Sequence, residues 1–148
     1  MPRSRSELYV HFVWTTYLGE PMITPQLEPA VYRIILSEVN RRGAETCAIG
    51  GTPDHVHLVI KNPPTLSESP IMQRVKGVSS TLLRQSTHPF GGTFRLQSSY
   101  GVFSFHRNQL ARVVEYVENQ KRHHAESTVA AAWEKTEEDD PATTEHSR

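Results

Sequence analysis

The stretch from residue 50 to residue 60, GGTPDHVHLVI, constrains the fold most, because it predicts a tight turn that leads into a strand. Alternate side chains of a strand share a face, so His55 and His57 point to one side with their Cα atoms about 7 Å apart. The apolar residues that alternate with them face a core. Two imidazoles on one face can converge on an ion, but two ligands do not fill a metal's coordination shell. The pair alone is therefore equally compatible with a half-exposed strand that binds nothing.

Strand-like and helix-like segments alternate along the rest of the chain. The strand segments are rich in aromatic and β-branched residues, and the helix segments carry apolar residues at helical spacing. The predicted elements, in chain order, are a strand over 8–16, a helix over 28–42 with Gly43 as its C-cap, a strand over 44–49, the histidine strand over 55–60, a helix over 71–86, a strand over 94–105 and a helix from an N-cap at Asn108 to about 124. The order β-α-β-β-α-β-α predicts the α+β class: a ferredoxin-like (RRM-like) split β-α-β sandwich with an antiparallel sheet and an appended C-terminal helix.

Length and charge predict one basic domain followed by an acidic tail. A chain of 148 residues is long enough for one domain with a core, which we expect over residues 1–128. Of the 16 acids and 16 bases, residues 134–148 hold six acids and two bases, which leaves 14 bases and 10 acids, a net charge of +4, in residues 1–133. This balance permits phosphate binding without requiring it. The segment 129–148 is too polar to bury apolar surface, and we expect it to be disordered.

The expected compartment is the cytoplasm. Cys47 is the only cysteine, so no disulfide can form within the chain, and a small buried residue is the favoured interpretation. No apolar run approaches the roughly 20 residues of a membrane span, and the N-terminus does not resemble a signal peptide. We therefore expect a protein with no membrane partner.

The predicted last helix places two polar side chains on one face. Tyr116 and Gln120 are four residues apart, so they lie one turn apart beside the apolar stripe. A tyrosine and a carboxamide in this arrangement are consistent with a functional site. A tyrosine next to Val113 and Val117 is also typical of the edge of a core, with its hydroxyl in water. The spacing by itself leaves both interpretations open.

Taken together, these motifs resemble the single-tyrosine HUH transposases, which include insertion-sequence enzymes and relatives associated with repetitive extragenic palindromes (REP). The His-x-His strand after Thr-Pro-Asp and the Tyr-x-x-x-Gln helix stand in the order and spacing of that family. The segments that carry the resemblance are 52–60, 113–120 with the paired His123 and His124, 12–17, 75–80 and 100–105.

The resemblance implies a catalytic set. His55 and His57 would be metal ligands, and Gln120 the third ligand through its amide oxygen. Tyr116 would be the nucleophile that attacks a phosphate in single-stranded DNA and becomes linked to its 5′ side. The implied cofactor is a divalent ion, Mg²⁺ or Mn²⁺, which polarises the phosphate. Neutral ligands bind such ions weakly, so we expect firm binding only when a DNA phosphate completes the shell.

The resemblance also implies partners. We expect single-stranded DNA, with hairpin ends, and a homodimer in which the tyrosine helix of one subunit can complete the site of the other. From charge and placement, the candidate contacts to the DNA backbone are Lys76, Arg84, Arg95 and Arg122. Basic side chains on a helix are more often simply exposed to solvent without binding a ligand, and that alternative stays open.

Two other functions compete with a metal-dependent transposase. The first is a non-catalytic or domesticated nucleic-acid-binding module of the same fold, in which His55 and His57 are structural. The second is a metallohydrolase in which the histidine pair activates water. The simultaneous presence of both histidines, Tyr116 and Gln120 favours the transposase.

Overall fold

The computed structural model describes residues 8–62, 73, 75, 77–79, 81–82, 84, 96 and 100–125. The acidic segment 129–148 lies outside the described residues. The elements of the sheet and its first helix are β1 (Leu8–Thr15), α1 (Glu28–Arg41), β2 (Glu45–Thr52), β3 (His55–Asn62) and β4 (Gly101–Phe105).

The four strands form one antiparallel sheet in the order β2-β3-β1-β4. This order places β3, which carries the histidine pair, beside β1 at the centre. In the register between them, Val13 lies opposite His57, and His11 lies opposite Val59. The α+β fold with an antiparallel sheet, predicted from the order of elements, is confirmed.

The sheet is covered on both faces. One face packs against α1 in a core that includes Phe12, Trp14 and Leu58. The other face forms a smaller core in which Val59 meets Val117 of the C-terminal helix. The interpretation of a half-exposed histidine strand is wrong, because β3 is buried on both sides from His55 to Ile60.

The hairpin between β2 and β3 is tighter than expected. The prediction ended the first of these strands at Ile49, because two glycines follow it. The structure continues the strand to Thr52, which pairs directly with His55 across the turn formed by Pro53 and Asp54. The turn thus places Thr52 and Asp54 next to His55.

Two helices, α1 and the helix that contains residues 73–84, agree with the sequence pattern. α1 ends at Arg41, and Gly43 then adopts a φ of +83°, a left-handed conformation that favours glycine at a helix end. Every described residue between 73 and 84 is helical, as predicted for 71–86. Val75 and Ser79, one turn apart, face the protein, whereas Leu82 and Arg84 are exposed.

The last strand and helix differ from the prediction at their ends. β4 begins only at Gly101, and Leu96 forms an isolated bridge with Thr16. The helix begins with a 3-10 turn over Arg107–Gln109, and Asn108 is not its N-cap. The ring of His106 caps this turn instead, because its Nδ1 accepts a hydrogen bond from the backbone N–H of Asn108 at 3.1 Å.

The C-terminal helix consists of two pieces, α2 (Leu110–Glu118) and α3 (Gln120–Ala125). Asn119 separates them. Its side-chain amide donates to the carbonyl oxygen of Glu115 at 2.8 Å, which its own backbone N–H also contacts at 3.1 Å. A side chain that competes for a helical carbonyl in this way is a known cause of local helix distortion. No helix among the described residues is long and apolar enough to cross a membrane.

Candidate active site

The four side chains singled out in the sequence lie in one cluster between β3 and the C-terminal helix. The ring of Tyr116 in α2 meets the ring of His57 edge-on, with 5.9 Å between ring centroids. Gln120, the first residue of α3, places its Oε1 3.2 Å from Nε2 of His55. The helix break at Asn119 does not separate the two helical side chains, because Gln120 Nε2 donates to the carbonyl oxygen of Tyr116 at 3.1 Å.

The cluster is buried. Tyr116 is 3% exposed and Gln120 is 1% exposed, and both histidines belong to the buried part of β3. The ring of Tyr116 is thus buried within the cluster. Buried polar side chains need hydrogen-bond partners, and His55, His57 and Gln120 each form hydrogen bonds in or beside the cluster.

The turn before β3 holds His55 by its other nitrogen. Nδ1 of His55 donates to Oδ1 of Asp54 at 2.7 Å and lies 2.8 Å from Oγ1 of Thr52. The Thr52 hydroxyl in turn donates to the same carboxylate oxygen at 2.9 Å. A carboxylate at Nδ1 favours a ring proton on that nitrogen, and Nε2 is the atom that faces Gln120.

Asp54 is suited to this position by its charge. Burial acts to raise the pKa of its carboxyl group, but hydrogen bonds from His55 and Thr52 outweigh it, and the net pKa is lowered. The carboxyl group is therefore ionised near neutral pH and accepts hydrogen bonds only.

The second histidine has a partner that the sequence analysis missed. Nδ1 of His57 lies 2.7 Å from Nε2 of His11 in β1, and both rings are buried. His11 had been included in a strand predicted from its apolar and aromatic neighbours. Because a ferredoxin-like sheet places its first and third strands side by side, a histidine within the first strand was the available signal.

Two further histidines complete the cluster. His124 places its Nε2 3.2 Å from Oε1 of Gln120, and its ring centroid lies 4.6 Å from that of His55. The ring of His123 stacks on Tyr116 with 4.8 Å between centroids and 29° between planes. Both histidines belong to a segment that carries the family resemblance, and no role is predicted for them from the sequence.

Two of the four predicted DNA-contact residues, Arg84 and Arg122, are among the described residues, and they lie on different helices. Arg84 is exposed on the opposite layer, and Lys76 and Arg95 lie outside the described residues. Arg122 is exposed but forms an ion pair with Glu115 at 2.7 Å.

Two cavities are lined in part by residues of the cluster. A cavity of about 440 Å³ is lined by Tyr116 together with Arg112, Glu115 and Ala111. A second cavity of about 450 Å³ is lined by residues that include Asp54, Lys121 and His124. Arg112, one turn before Tyr116, is therefore the arginine that shares a cavity with it, although the sequence analysis did not select it.

The donor atoms of the cluster are mainly imidazole nitrogens and one amide oxygen. Within the described part of the chain, no three side chains among histidine, cysteine, aspartate and glutamate are grouped so as to hold a metal ion. The predicted ligand set differs from such a group because Gln120 is its third member.

Cys47 is half-buried on β2, and burial, with the charge of Glu45, raises the pKa of its thiol.

The fold recurs in solved structures. A protein of Deinococcus radiodurans R1 assigned as a candidate transposase is 23% identical, with a TM-score of 0.63 over 81% of this chain and 98% of its own. A REP-associated tyrosine transposase, solved bound to a REP hairpin, is 14% identical, with a TM-score of 0.60 over 84% of this chain and 74% of its own. At these identities the likeness shows a shared fold.

The family assignment comes from the sequence. No curated protein matches the chain. The profile of the family described as "Transposase IS200 like" matches residues 4–120, which include β1, the histidine strand, Tyr116 and Gln120. Because this match covers most of the chain and the fold agrees with it, the protein belongs to the IS200-like transposase family.

Proposed function

We propose that this chain is a metal-dependent transposase that cleaves and rejoins single-stranded DNA through a 5′-phosphotyrosine on Tyr116. The observation that carries the proposal is the convergence of two distant segments. Tyr116 contacts His57, and Gln120 contacts His55, although the helix and the hairpin are far apart in sequence. The candidate nucleophile, both histidines and Gln120 therefore lie in one buried cluster.

The proposed reaction is a phosphoryl transfer that conserves the phosphodiester energy. The hydroxyl oxygen of Tyr116 attacks the scissile phosphorus, the bond from phosphorus to the 3′ oxygen breaks, and the phenol loses its proton while the leaving oxygen gains one. The products are a tyrosine joined to the 5′ phosphate and a free 3′-hydroxyl. Attack by a 3′-hydroxyl on the phosphotyrosine reverses the step and joins strands without an external energy source.

The donor set offers three neutral ligands to a divalent ion. With its proton held at Nδ1 by Asp54, His55 turns a lone pair on Nε2 toward Oε1 of Gln120, 3.2 Å away, so that two acceptors face each other. A cation shared by such acceptors removes their repulsion. His55, His57 and Gln120 would hold Mg²⁺ or Mn²⁺, which would stabilise negative charge on the phosphate. Because all three ligands are neutral, we expect DNA phosphate oxygens to strengthen binding.

The proposed substrate is single-stranded DNA with a hairpin. A similar structure is bound to a REP hairpin, which supports this class of ligand. The net charge of +4 over residues 1–133 agrees with a phosphate-rich partner. The cavity that Tyr116 and Arg112 line is the proposed place where a strand approaches the tyrosine.

We also propose that the tyrosine acts within its own subunit. Val113 and Val117 of α2 pack on Ala48 and Val59 of the same chain, which supports a site closed in cis. A homodimer remains a prediction, and exchange of the tyrosine helix would require this small core to open.

The test is a cleavage assay on hairpin-containing single-stranded DNA with Mn²⁺. We expect a covalent protein–DNA adduct that resists denaturing electrophoresis and is absent in Tyr116→Phe, which keeps the ring and removes the hydroxyl. Tyr32→Phe is the matched control, because Tyr32 lies on α1. Binding without an adduct under any metal would support the non-catalytic module. A free 5′-phosphate product that survives Tyr116→Phe would support the metallohydrolase.

A further inference from the structure

We propose that His11 is a positioning residue: its Nε2 accepts a hydrogen bond from the Nδ1–H of His57 and so keeps Nε2 of His57 unprotonated for a metal ion. This inference rests on the proposed metal-dependent function, and it adds a residue to that site. Its role is to fix the tautomer and the ring orientation of a candidate ligand.

The geometry of the two rings supports a direct hydrogen bond. The two nitrogens are 2.7 Å apart, and His11 is 1% exposed while His57 is fully buried. Because Val13 lies opposite His57 in the sheet, His11 is the diagonal neighbour of His57 on the same face. Diagonal neighbours on adjacent strands are within reach of long and aromatic side chains.

The count of donors and acceptors leaves two arrangements for the ring proton between His11 and His57. A neutral imidazole has one N–H donor and one acceptor nitrogen, so one proton lies between the facing nitrogens of His11 and His57. If that proton belongs to His11, Nε2 of His57 carries its own proton and cannot bind a metal ion. If it belongs to His57, Nε2 has its lone pair available. Only the second arrangement agrees with His57 as a ligand.

The rings of the two candidate ligands, His55 and His57, contact different kinds of side chain. His55, near the surface, is held by the half-exposed carboxylate of Asp54. His57 lies deeper, and its Nδ1 contacts the imidazole of His11. An ionised carboxylate in the place of His11 would be costly to bury without a counter-charge, whereas a neutral acceptor orients the ligand at no such cost.

A simple packing role for His11 makes a different prediction. The ring of His11 also contacts Phe103, with 5.8 Å between centroids, so it fills space in the sheet face. His11→Phe keeps an aromatic ring and loses the acceptor. His11→Gln loses the ring but places an oxygen acceptor at a similar distance from the backbone. The two roles therefore rank the two variants in opposite order.

The first measurement reads the tautomer directly, by ¹⁵N NMR of the imidazoles in the metal-free, full-length protein under conditions where the histidines are neutral. The expected result is that His57 carries its proton on Nδ1. A proton on Nε2 of His57 would overturn the inference. This measurement needs neither metal nor DNA, so it is independent of the proposed function.

The second measurement is the affinity for Mn²⁺ alone, followed by electron paramagnetic resonance, with thermal unfolding to confirm that each variant folds. We expect His11→Phe to weaken binding by about 10–100-fold and His11→Gln to restore most of the loss. Unchanged affinity in His11→Phe, or stronger binding by His11→Phe than by His11→Gln, would overturn the inference. If the wild-type protein binds no Mn²⁺ with or without DNA, the proposed metal-dependent function fails, and the NMR result distinguishes that failure from an error about the hydrogen bond.

Discussion

The carbonyl oxygen of Val117 lies so close to Gly50 that a β-carbon on Gly50 would be 2.0 Å from it. The helix backbone thus rests directly on the backbone of β2. Gly50 is the cross-strand neighbour of His57, and Val117 follows the candidate nucleophile in sequence. The contact therefore sets how closely Tyr116 approaches His57.

We expect Gly50→Ala to lower both stability and activity. The added methyl group would meet a backbone atom that has no rotamer by which to move aside, so α2 must shift away from the sheet. Overpacking of this kind costs about 1–3 kcal/mol of unfolding free energy. Chemical denaturation measures the first effect, and the yield of covalent DNA adduct measures the second.

Gly77→Ala is the matched control for this substitution. Gly77 lies in a helix, and a β-carbon there would meet nothing within 4 Å. Alanine at such a site is expected to raise helix stability by up to about 1 kcal/mol and to leave adduct formation unchanged. Wild-type stability and adduct yield in Gly50→Ala would contradict the close contact.

Gly50 also illustrates where prediction from the sequence stops. Two successive glycines after Ile49 have the local signature of a turn, so the strand was expected to end there. The structure instead uses Gly50 inside a strand, because a helix distant in sequence passes over it. A close approach between elements leaves no periodic signal in either one.

The side-chain placements that agree with the prediction depend on local geometry. The period of a strand places His55 and His57 on one face, and the spacing of a helix turn places Tyr116 near Gln120. The partnership of His11 with His57 depends on strand order and register, which local patterns do not specify. Register is set by the whole sheet, and so the sequence analysis missed this residue.

Mixing two inactive variants tests whether the site closes within one subunit. His57→Ala removes a candidate ligand, and Tyr116→Phe removes the nucleophile. If each subunit uses its own tyrosine helix, a mixture of the two proteins forms no adduct, because every site lacks one group. Restored adduct formation in the mixture would show that the helix is exchanged between subunits. Mixtures of each variant with the wild-type protein provide the control for inhibition.

Arg112 and Arg122 should differ in their effect on DNA binding. Arg112 lines the cavity that contains Tyr116, whereas Arg122 is engaged with Glu115. We expect Arg112→Ala to weaken binding of single-stranded DNA and to reduce the salt dependence of the affinity by about one phosphate contact. Arg122→Ala should change both quantities little. Fluorescence anisotropy over a range of salt concentrations measures the affinity and its salt dependence. A larger effect of Arg122→Ala than of Arg112→Ala would contradict the proposal that the DNA strand enters this cavity.

Asp54→Asn tests whether the turn orients the first candidate ligand. The asparagine keeps an oxygen that accepts from Nδ1 of His55, but it removes the charge that favours the proton on that nitrogen. We expect Mn²⁺ affinity to fall by about tenfold, the lower end of the range for residues that support a ligand. Thr52→Ser keeps the hydroxyl that also contacts Nδ1, and should leave the affinity close to that of the wild-type protein. If Asp54→Asn binds Mn²⁺ as tightly as the wild-type protein, the carboxylate does not set the tautomer of His55, and the facing acceptors of His55 and Gln120 lose their explanation as a metal site.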